Sequence, residues 1–471
     1  MEADLAAQRL LMPAPRSRVS PPPWLSFHLH GRRIFFNPVS LAVGETEAEI
    51  SAAASTSVPE FPLTPPGPPA HLVLNVTHAC NLACRYCFAA KYWEAATMTP
   101  AVAERAVALL ADGPRERAIT LSFFGGEPLL AWETLMAGVA AAERLGQSQG
   151  RRVHLHITTN GALLDADKAE YLAQHGFSVL ISLDGPEDIH NAARPMRNGG
   201  NSWRATMAAL AHLRASGSRP AGRRARVTLR GTYLPGRAGE AADHGAAWER
   251  ANLRERCEFY GRLMDSGYCA GFSLEAATLT EGGAGRTTLR VDEEGLRREY
   301  HEVALWYLDR LRRGRPPGFF HFNKILERLR RRRPQVTECG AGRSYLTIGP
   351  DGSIFACHRE TGTRIGHLDT GFDAVARARW LDNRLTQRDA CRDCWCRYVC
   401  GGGCRQRAAE LGRPLSEPDP DACAVMRIMV AECLWLLLHL PPRPAGGKCA
   451  QLPVSPSSYR FLPFPGCKRK P

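Results

Sequence analysis

Three cysteines, Cys80, Cys84 and Cys87, stand within eight residues of the stretch "VTHACNLACRYCFA" (residues 76–89), spaced C-x3-C-x2-C. A [4Fe–4S] cube normally takes four protein ligands, so three thiolates suit a cube with one iron left open. An open iron makes a site chemical rather than structural. Zinc is the competing reading, although structural zinc sites usually pair C-x2-C units with a distant second pair.

A second cysteine group lies far along the chain. Cys339, Gly352 and Cys357 fit C-x12-G-x4-C, and "CRDCWCRYVCGGGC" supplies Cys391, Cys394, Cys400 and Cys404 as C-x2-C-x5-C-x3-C. Cys423 follows after a gap of eighteen residues. Cys396 falls outside this order, and Cys257, Cys269, Cys433, Cys449 and Cys467 read as plain thiols. The chain has 16 cysteines in 471 residues. No apolar core of a signal peptide precedes the first prolines, so the reading is cytoplasmic, where clustered thiols favour metal over disulfides. The most apolar run, "VAECLWLLLHL" (residues 430–440), reads as a buried helix, too short to span a bilayer and carrying Glu432.

The elements that position these thiols begin at residue 71. Short apolar runs rich in β-branched residues occur at 71–77, 118–124, 152–159, 178–183, 226–233 and 271–276, with amphipathic helical patterns between them. One such helix, "TPAVAERAVALLADG", has Thr99 as N-cap, Pro100 at its first position and Gly113 past its end. Six strands alternating with helices predict a parallel α/β sheet whose ligand site lies at the strands' carboxyl ends. The first cysteines follow strand one, "GGEP" (125–128) follows strand two, "TTNG" (158–161) follows strand three, and "SLDG" (182–185) ends strand four.

Five segments result. Residues 1–22 read as disordered. Residues 23–70 form a small module of two strands and a short helix, ending in the Pro-rich linker "FPLTPPGPPA". Residues 71–315 are the core, 316–440 the cysteine-dense extension, and 441–471 a flexible tail. The net charge of +14 points to an acidic partner: an acidic peptide, a small electron-transfer protein or a nucleic acid. No nucleic-acid-reading motif accompanies it, and "RLRRRRP" (328–334) reads as a solvated helix end.

C-x3-C-x2-C after the first strand with "GGEP" after the second resembles the radical SAM enzymes, and the seven-cysteine order resembles their SPASM extension. The resemblance covers roughly residues 71–425. It implies a partial (β/α)6 barrel with a C-terminal SPASM domain. It also implies that Cys80, Cys84 and Cys87 hold a cube whose open iron chelates S-adenosylmethionine. The backbone beside Tyr86 would contact the adenine, Gly125 and Gly126 would let the main chain approach the methionine end, and Glu127 would accept from its ammonium group. Asn160 and Ser182 would meet the ribose and carboxylate, or else are polar residues capping strand ends. Cys391, Cys394, Cys400 and Cys423 would hold one auxiliary [4Fe–4S] cluster, and Cys339, Cys357 and Cys404 an inner one. Relatives with a fully ligated inner cluster carry one more cysteine a few residues upstream, where this chain reads "RRRPQVTE". That gap leaves a position for a substrate thiolate, or for Cys396 or Cys269.

"LNVTHACNLACRYCFA", "SFFGGEPLL", "TTNGALL" and "ISLDGP" look like maturases that build thioethers, such as those of six-cysteine peptides and of quinohaemoprotein amine dehydrogenase. The implied activity is hydrogen abstraction from a peptide residue by a 5′-deoxyadenosyl radical, then a cross-link to cysteine. The implied partners are a peptide or protein substrate, gripped through its leader, and a flavodoxin or ferredoxin. Neither nucleic acid nor membrane is expected. Sulfatase-type maturases are the near alternative. They place an aspartate base directly after the cysteine matching Cys357, where this chain has His358 and Arg359. Glu275, ending strand six, is the best remaining carboxylate for a catalytic base, or else a strand-end surface residue. A zinc-dependent binding module and a nucleic-acid-modifying radical enzyme are the readings from other classes.

Overall fold

The computed structural model describes residues 24–51, 67–89, 95–216, 225–235, 253–277, 291–360, 362–382 and 385–440. The readings of 1–22 and 441–471 fall outside these residues.

The N-terminal module is a three-stranded antiparallel sheet, β1 (Leu25–Leu29), β2 (Arg32–Phe36) and β3 (Val43–Gly44), followed by a short helix, Glu47–Ser51. Gly31, at φ +79, makes the β1–β2 turn, as glycine readily does. The core strands stand where the sequence places them: β4 (His71–Thr77), β5 (Ile119–Gly125), β6 (Val153–Thr159), β7 (Ser178–Ser182), β8 (Arg226–Tyr233) and β9 (Phe272–Ala276). All five pairings between them are parallel and in chain order. The helix from Pro100 is capped by Thr99 as expected but ends at Ala108. Leu109 and Leu110 donate to carbonyls three residues back, a tightening that closes the last turn before Gly113.

The strands alternate in a way that doubly buried parallel strands do not. Leu72, Leu74, Leu121, Phe123, Leu155 and Ile157 are buried against the outer helices. Their neighbours include Asn75, Ser122, His156, Arg230 and Glu275, and these share the inner face through contacts such as His71 Nε2–Ser122 Oγ (2.8 Å) and Arg230 Nε–Glu275 Oε1 (3.8 Å). The barrel interior is therefore polar.

The sheet is larger than six strands. β10 (Leu346–Ile348) pairs parallel with β4, Leu346 opposite Leu72, and β11 (Ser353–Phe355), β12 (Arg364–His367) and β13 (Gly371–Phe372) extend it antiparallel. One ten-stranded sheet runs β13-β12-β11-β10-β4-β5-β6-β7-β8-β9, with β13 and β9 as its edges. The cysteine-dense extension thus shares the core's sheet.

The apolar run at 430–440 belongs to a longer helix, Pro420–His439, started by Asp419, whose side chain accepts from Asp421 N. This helix of 20 residues is long and apolar enough to cross a membrane by length and composition, and it is mostly buried against the helices Glu293–Arg312 and Phe320–Arg331. Its Glu432, 3 % exposed, is met by His30 Nε2 at 2.9 Å and His301 Nδ1 at 3.0 Å, one on each carboxylate oxygen. The two imidazoles stack with centroids 3.3 Å apart. Burial opposes ionisation of Glu432, but these two hydrogen bonds outweigh it and hold the carboxyl below its usual range. The N-terminal hairpin is thereby latched to the body, and Phe27 and Phe36 pack on Trp395 at 5.1 and 6.1 Å.

Glu432→Gln is expected to lower stability by about 1–3 kcal/mol, the scale of hydrogen bonds to a charged group, and to speed amide exchange in residues 25–44. Because the folded carboxyl is depressed, the latch contributes fully above the unfolded value near 4.5 and is lost as pH falls further. Unchanged exchange in the variant would mean that apolar packing alone holds the hairpin.

Candidate iron–sulfur and cofactor sites

β5 carries Gly125 and Gly126 to the carboxyl end of the sheet, beside the loop that leaves β4. Gly126 N donates to Thr77 O at 2.7 Å, and Glu127 N donates to Ala79 O at 2.8 Å. A Cβ on Gly125, at φ +140, would lie 2.2 Å from Thr77 O; one on Gly126 would lie 2.1 Å from Ala79 O. The sequence reading gave these glycines to the approach of a cofactor. The structure shows a nearer reason: two backbones touch, and one of them is about to deliver Cys80.

The other side of the cysteine loop is held by residues 193–197. Ala83 N donates to Pro195 O (2.9 Å), Arg85 N to Ala193 O (3.0 Å), and Arg197 Nε to Cys80 O (3.0 Å). Inside this clamp the sulfurs meet donors: Leu82 N lies 3.4 Å and Asn160 Nδ2 3.8 Å from Cys80 Sγ, and Arg194 Nη1 lies 3.9 Å from Cys84 Sγ. Burial pushes the Cys84 thiol up to about 12 against the pull of Arg194, and it pushes Cys80 up too. Three crowded, half-buried thiols, two of them resisting ionisation, fit a metal group that supplies the missing positive charge.

Glu127 is fully buried. Its Oε1 accepts from Leu129 N (3.1 Å) and Thr159 Oγ1 (2.7 Å), and its Oε2 accepts from Asn160 N (2.8 Å). Burial nonetheless raises its carboxyl to about 7. Its principal partners are thus the ends of β5 and β6, with one lone-pair position on Oε2 left for a ligand. Asn160 Nδ2 also donates to Asn81 Oδ1 at 2.8 Å, which ties the third strand end to the cysteine loop. Ser182 ends β7 opposite Arg230 of β8.

Tyr86 leads to residues the sequence did not single out. Its hydroxyl donates to Asp184 Oδ2 at 2.7 Å, and Arg194 lies over its ring at 5.2 Å. Asp184, fully buried, also pairs with Arg194 Nε at 3.0 Å and accepts from Thr232 N at 2.8 Å. A buried carboxylate–guanidinium pair whose arginine reaches a ligand thiol is a positioning device. Breaking such a pair costs roughly 3–5 kcal/mol. The only hint in the sequence is an aspartate ending a strand.

Cys339, Cys357 and Cys404 line one cavity with Glu338, Trp380 and Gly403. Cys391, Cys394, Cys400 and Cys423 interact electrostatically with one another nearby. Cys396 joins this outer set, its Sγ 3.7 Å from Cys394 Sγ, and a hydrogen bond from it lowers the Cys394 thiol to about 6. Cys396 therefore does not close the inner group, and neither does Cys269, which is absent from that cavity's lining. After Cys357 the chain turns back to the first loop. His358 O accepts from Asn75 Nδ2 (2.9 Å), Arg359 stacks on Phe88 (4.4 Å), and Glu360 pairs with His78 (3.0 Å) and Asn75. Glu275 faces Arg230 at 3.8 Å and His321 at 3.3 Å. Burial opposes its ionisation, but these cations outweigh it and hold the carboxyl well below the usual range.

Gly126→Ala is expected to push the cysteine loop off β5. Anaerobically reconstituted protein should then lose about four irons of roughly twelve per chain, the content of one cube in three. Iron and sulfide assays read this directly, and full retention would show that the loop tolerates the Cβ.

Residues 74–243 match the family profile of the radical SAM superfamily. The chain is 27 % identical over 364 residues to a serine-type anaerobic sulfatase-maturating enzyme of Klebsiella aerogenes, covering 71 % of this chain and 80 % of the relative. It is 24 % identical over 372 residues to the PqqA peptide cyclase of Granulibacter bethesdensis, covering 76 % and 88 %. Among solved structures, anSMEcpe with bound AdoMet superposes with a TM-score of 0.61 at 17 % identity, covering 79 % of this chain and 95 % of that one. Residues 74–243 are a radical SAM domain, followed by a SPASM-like cysteine-rich extension; the protein is an enzyme whose cofactors are [4Fe–4S] clusters and S-adenosylmethionine and whose relatives are maturases of peptides and proteins.

Proposed function

We propose that the enzyme removes a hydrogen atom from an unactivated carbon of a peptide residue and joins that carbon to a cysteine sulfur of the same peptide. In this reading Cys80, Cys84 and Cys87 hold the cofactor-binding cluster, with Tyr86, Gly125, Gly126, Glu127, Asn160 and Ser182 around S-adenosylmethionine. Cys339, Cys357 and Cys404 hold the inner auxiliary cluster; Cys391, Cys394, Cys400 and Cys423 hold the outer one. Bound together, the first cluster and S-adenosylmethionine supply a carbon radical able to take a hydrogen atom. The carbon loses that hydrogen, the thiol loses a proton, a C–S bond forms, and one electron remains to be carried away.

The chain's own residues do the positioning. The polar inner face can hold a peptide backbone, partly shielded from water by the curved sheet. Arg230 and His321 hold Glu275 ionised at the mouth of β9. β1 pairs only with β2 among the described residues, so its outer edge is available for a leader strand of the substrate. The domain division at residues 70, 315 and 440 goes with this reading, as do a cytoplasmic setting and an acidic flavodoxin or ferredoxin drawn to the +14 charge.

The observation that carries the thioether is the residue after Cys357. His358 packs edge-on to Phe124 at 4.7 Å, where sulfatase-type maturases would need a carboxylate. Formylglycine formation is the second reading, favoured by similarity to the Klebsiella enzyme over 71 % of the chain and by Glu360, a carboxylate three positions on. The test is anaerobic turnover, with dithionite and S-adenosylmethionine, of a cysteine-containing peptide encoded beside this gene. Expected are stoichiometric 5′-deoxyadenosine, a product lighter by two hydrogens, and one thiol lost to alkylation. A hydrazide-reactive aldehyde in the product would instead establish the second reading.

A further inference from the structure

The inner cavity offers three thiols, and the stretch upstream of Cys339 has no cysteine. Directly before Cys339 stands Glu338, which lines the same cavity. The Glu338 Oε2 atom is buried and has no hydrogen-bond partner among the described residues. Lys324, Arg328 and Arg407 interact with the carboxylate electrostatically, and none of them hydrogen-bonds Oε2. A buried carboxylate oxygen without a donor costs free energy that something at the site must offset.

We propose that the Glu338 carboxylate is the fourth protein ligand of the inner auxiliary cluster, alongside Cys339, Cys357 and Cys404. The inference rests on the reading that those three cysteines hold a cluster. It accounts for the orphan oxygen, for a carboxylate in the cavity that the three thiols share, and for the missing upstream cysteine. The other two cysteines considered for the gap do not compete. Cys396 stands 3.7 Å from Cys394 in the outer group, and Cys269 is not part of the lining. An oxygen donor is harder than a thiolate and holds iron less tightly. The fourth iron would thus be ligated at rest yet exchangeable for a thiol-bearing peptide.

The test uses the full chain with Cys80, Cys84 and Cys87 all changed to Ala, which removes the first cluster's signal. Protein labelled with ¹³C-carboxylate glutamate is reduced without oxygen and examined by electron–nuclear double resonance. A ¹³C coupling from a ligating carboxylate is expected, and Glu338→Gln should abolish it while raising the cluster's midpoint potential, since one negative ligand is gone. Glu338→Cys should keep the inner irons and also lose the coupling. A coupling that survives Glu338→Gln, or an unchanged spectrum and potential, overturns the proposal. If Glu338→Gln loads no inner iron, Glu338→Cys decides: retained iron without coupling supports ligation, and lost iron overturns it. Changing Cys339, Cys357 and Cys404 to Ala separates the two levels. If that triple variant does not lose about four irons, the cluster reading itself fails and the ligand proposal with it. If it does, an unchanged Glu338→Gln spectrum sinks the ligand proposal alone.

Discussion

Everything at the carboxyl end of the sheet depends on one backbone-to-backbone approach. The hydrogen bonds from Gly126 N and Glu127 N to Thr77 O and Ala79 O, at 2.7 and 2.8 Å, continue the β4–β5 ladder past the last regular pair. They hold the cysteine loop within a distance that admits no side chain at residues 125 and 126. A loop that must bring three cysteines together cannot be left to find its own shape, because ordering each residue costs about 1–2 kcal/mol. Here the strands bear that cost. The second wall, from Ala193 to Arg197, is positioned by the buried Asp184–Arg194 pair, so the loop is gripped by two elements distant in sequence.

The same sheet fixes the extension relative to the core. β10 lies directly on β4, and β11 on β10, so Cys357 emerges two strands away from Cys80. The three residues after Cys357 then bind the first loop through Asn75, Phe88 and His78. Glu360 accepts a left-handed backbone, φ +64, to make that contact. Non-glycine residues at positive φ are uncommon. The polar interior therefore lies between two cysteine groups whose separation is set by hydrogen-bonded strands.

What could be read from the sequence was local. Strand periodicity, the Thr99 cap and both cysteine spacings each involve a few neighbouring residues, and the structure places the strands and the cap as expected. What was missed was non-local. Nothing in "YLTIGPDGSIFA" says that its strand will pair with residue 72, about 270 positions earlier by count along the chain. Asp184, Arg194 and Glu360 matter through partners about ten to three hundred residues away. The helix at 420–439 was read too short because its first turns are occupied by Cys423 and polar residues, and only the apolar second half stands out in composition. The glycine pair was found for its chemistry and explained by its packing.

The catalytic base is where residue type and environment part. Glu275 has the right chemistry and stands near the end of the edge strand β9, but Arg230 and His321 hold it ionised far below neutral pH. A carboxylate so stabilised is a poor proton acceptor, since efficient general bases have values near the working pH. It serves better as an anion that orders the two cations around the cavity. His358, driven down to about 3 by burial, is an equally weak base. The reaction proposed above does not require a strong one. A hydrogen atom, rather than a proton, leaves the carbon, and a thiol bound to iron is deprotonated by the metal. A carboxylate at the inner cavity that yields its place on iron to an incoming thiol would be free to take the released proton. One residue, Glu338, would then close the cluster at rest and accept the proton in turnover.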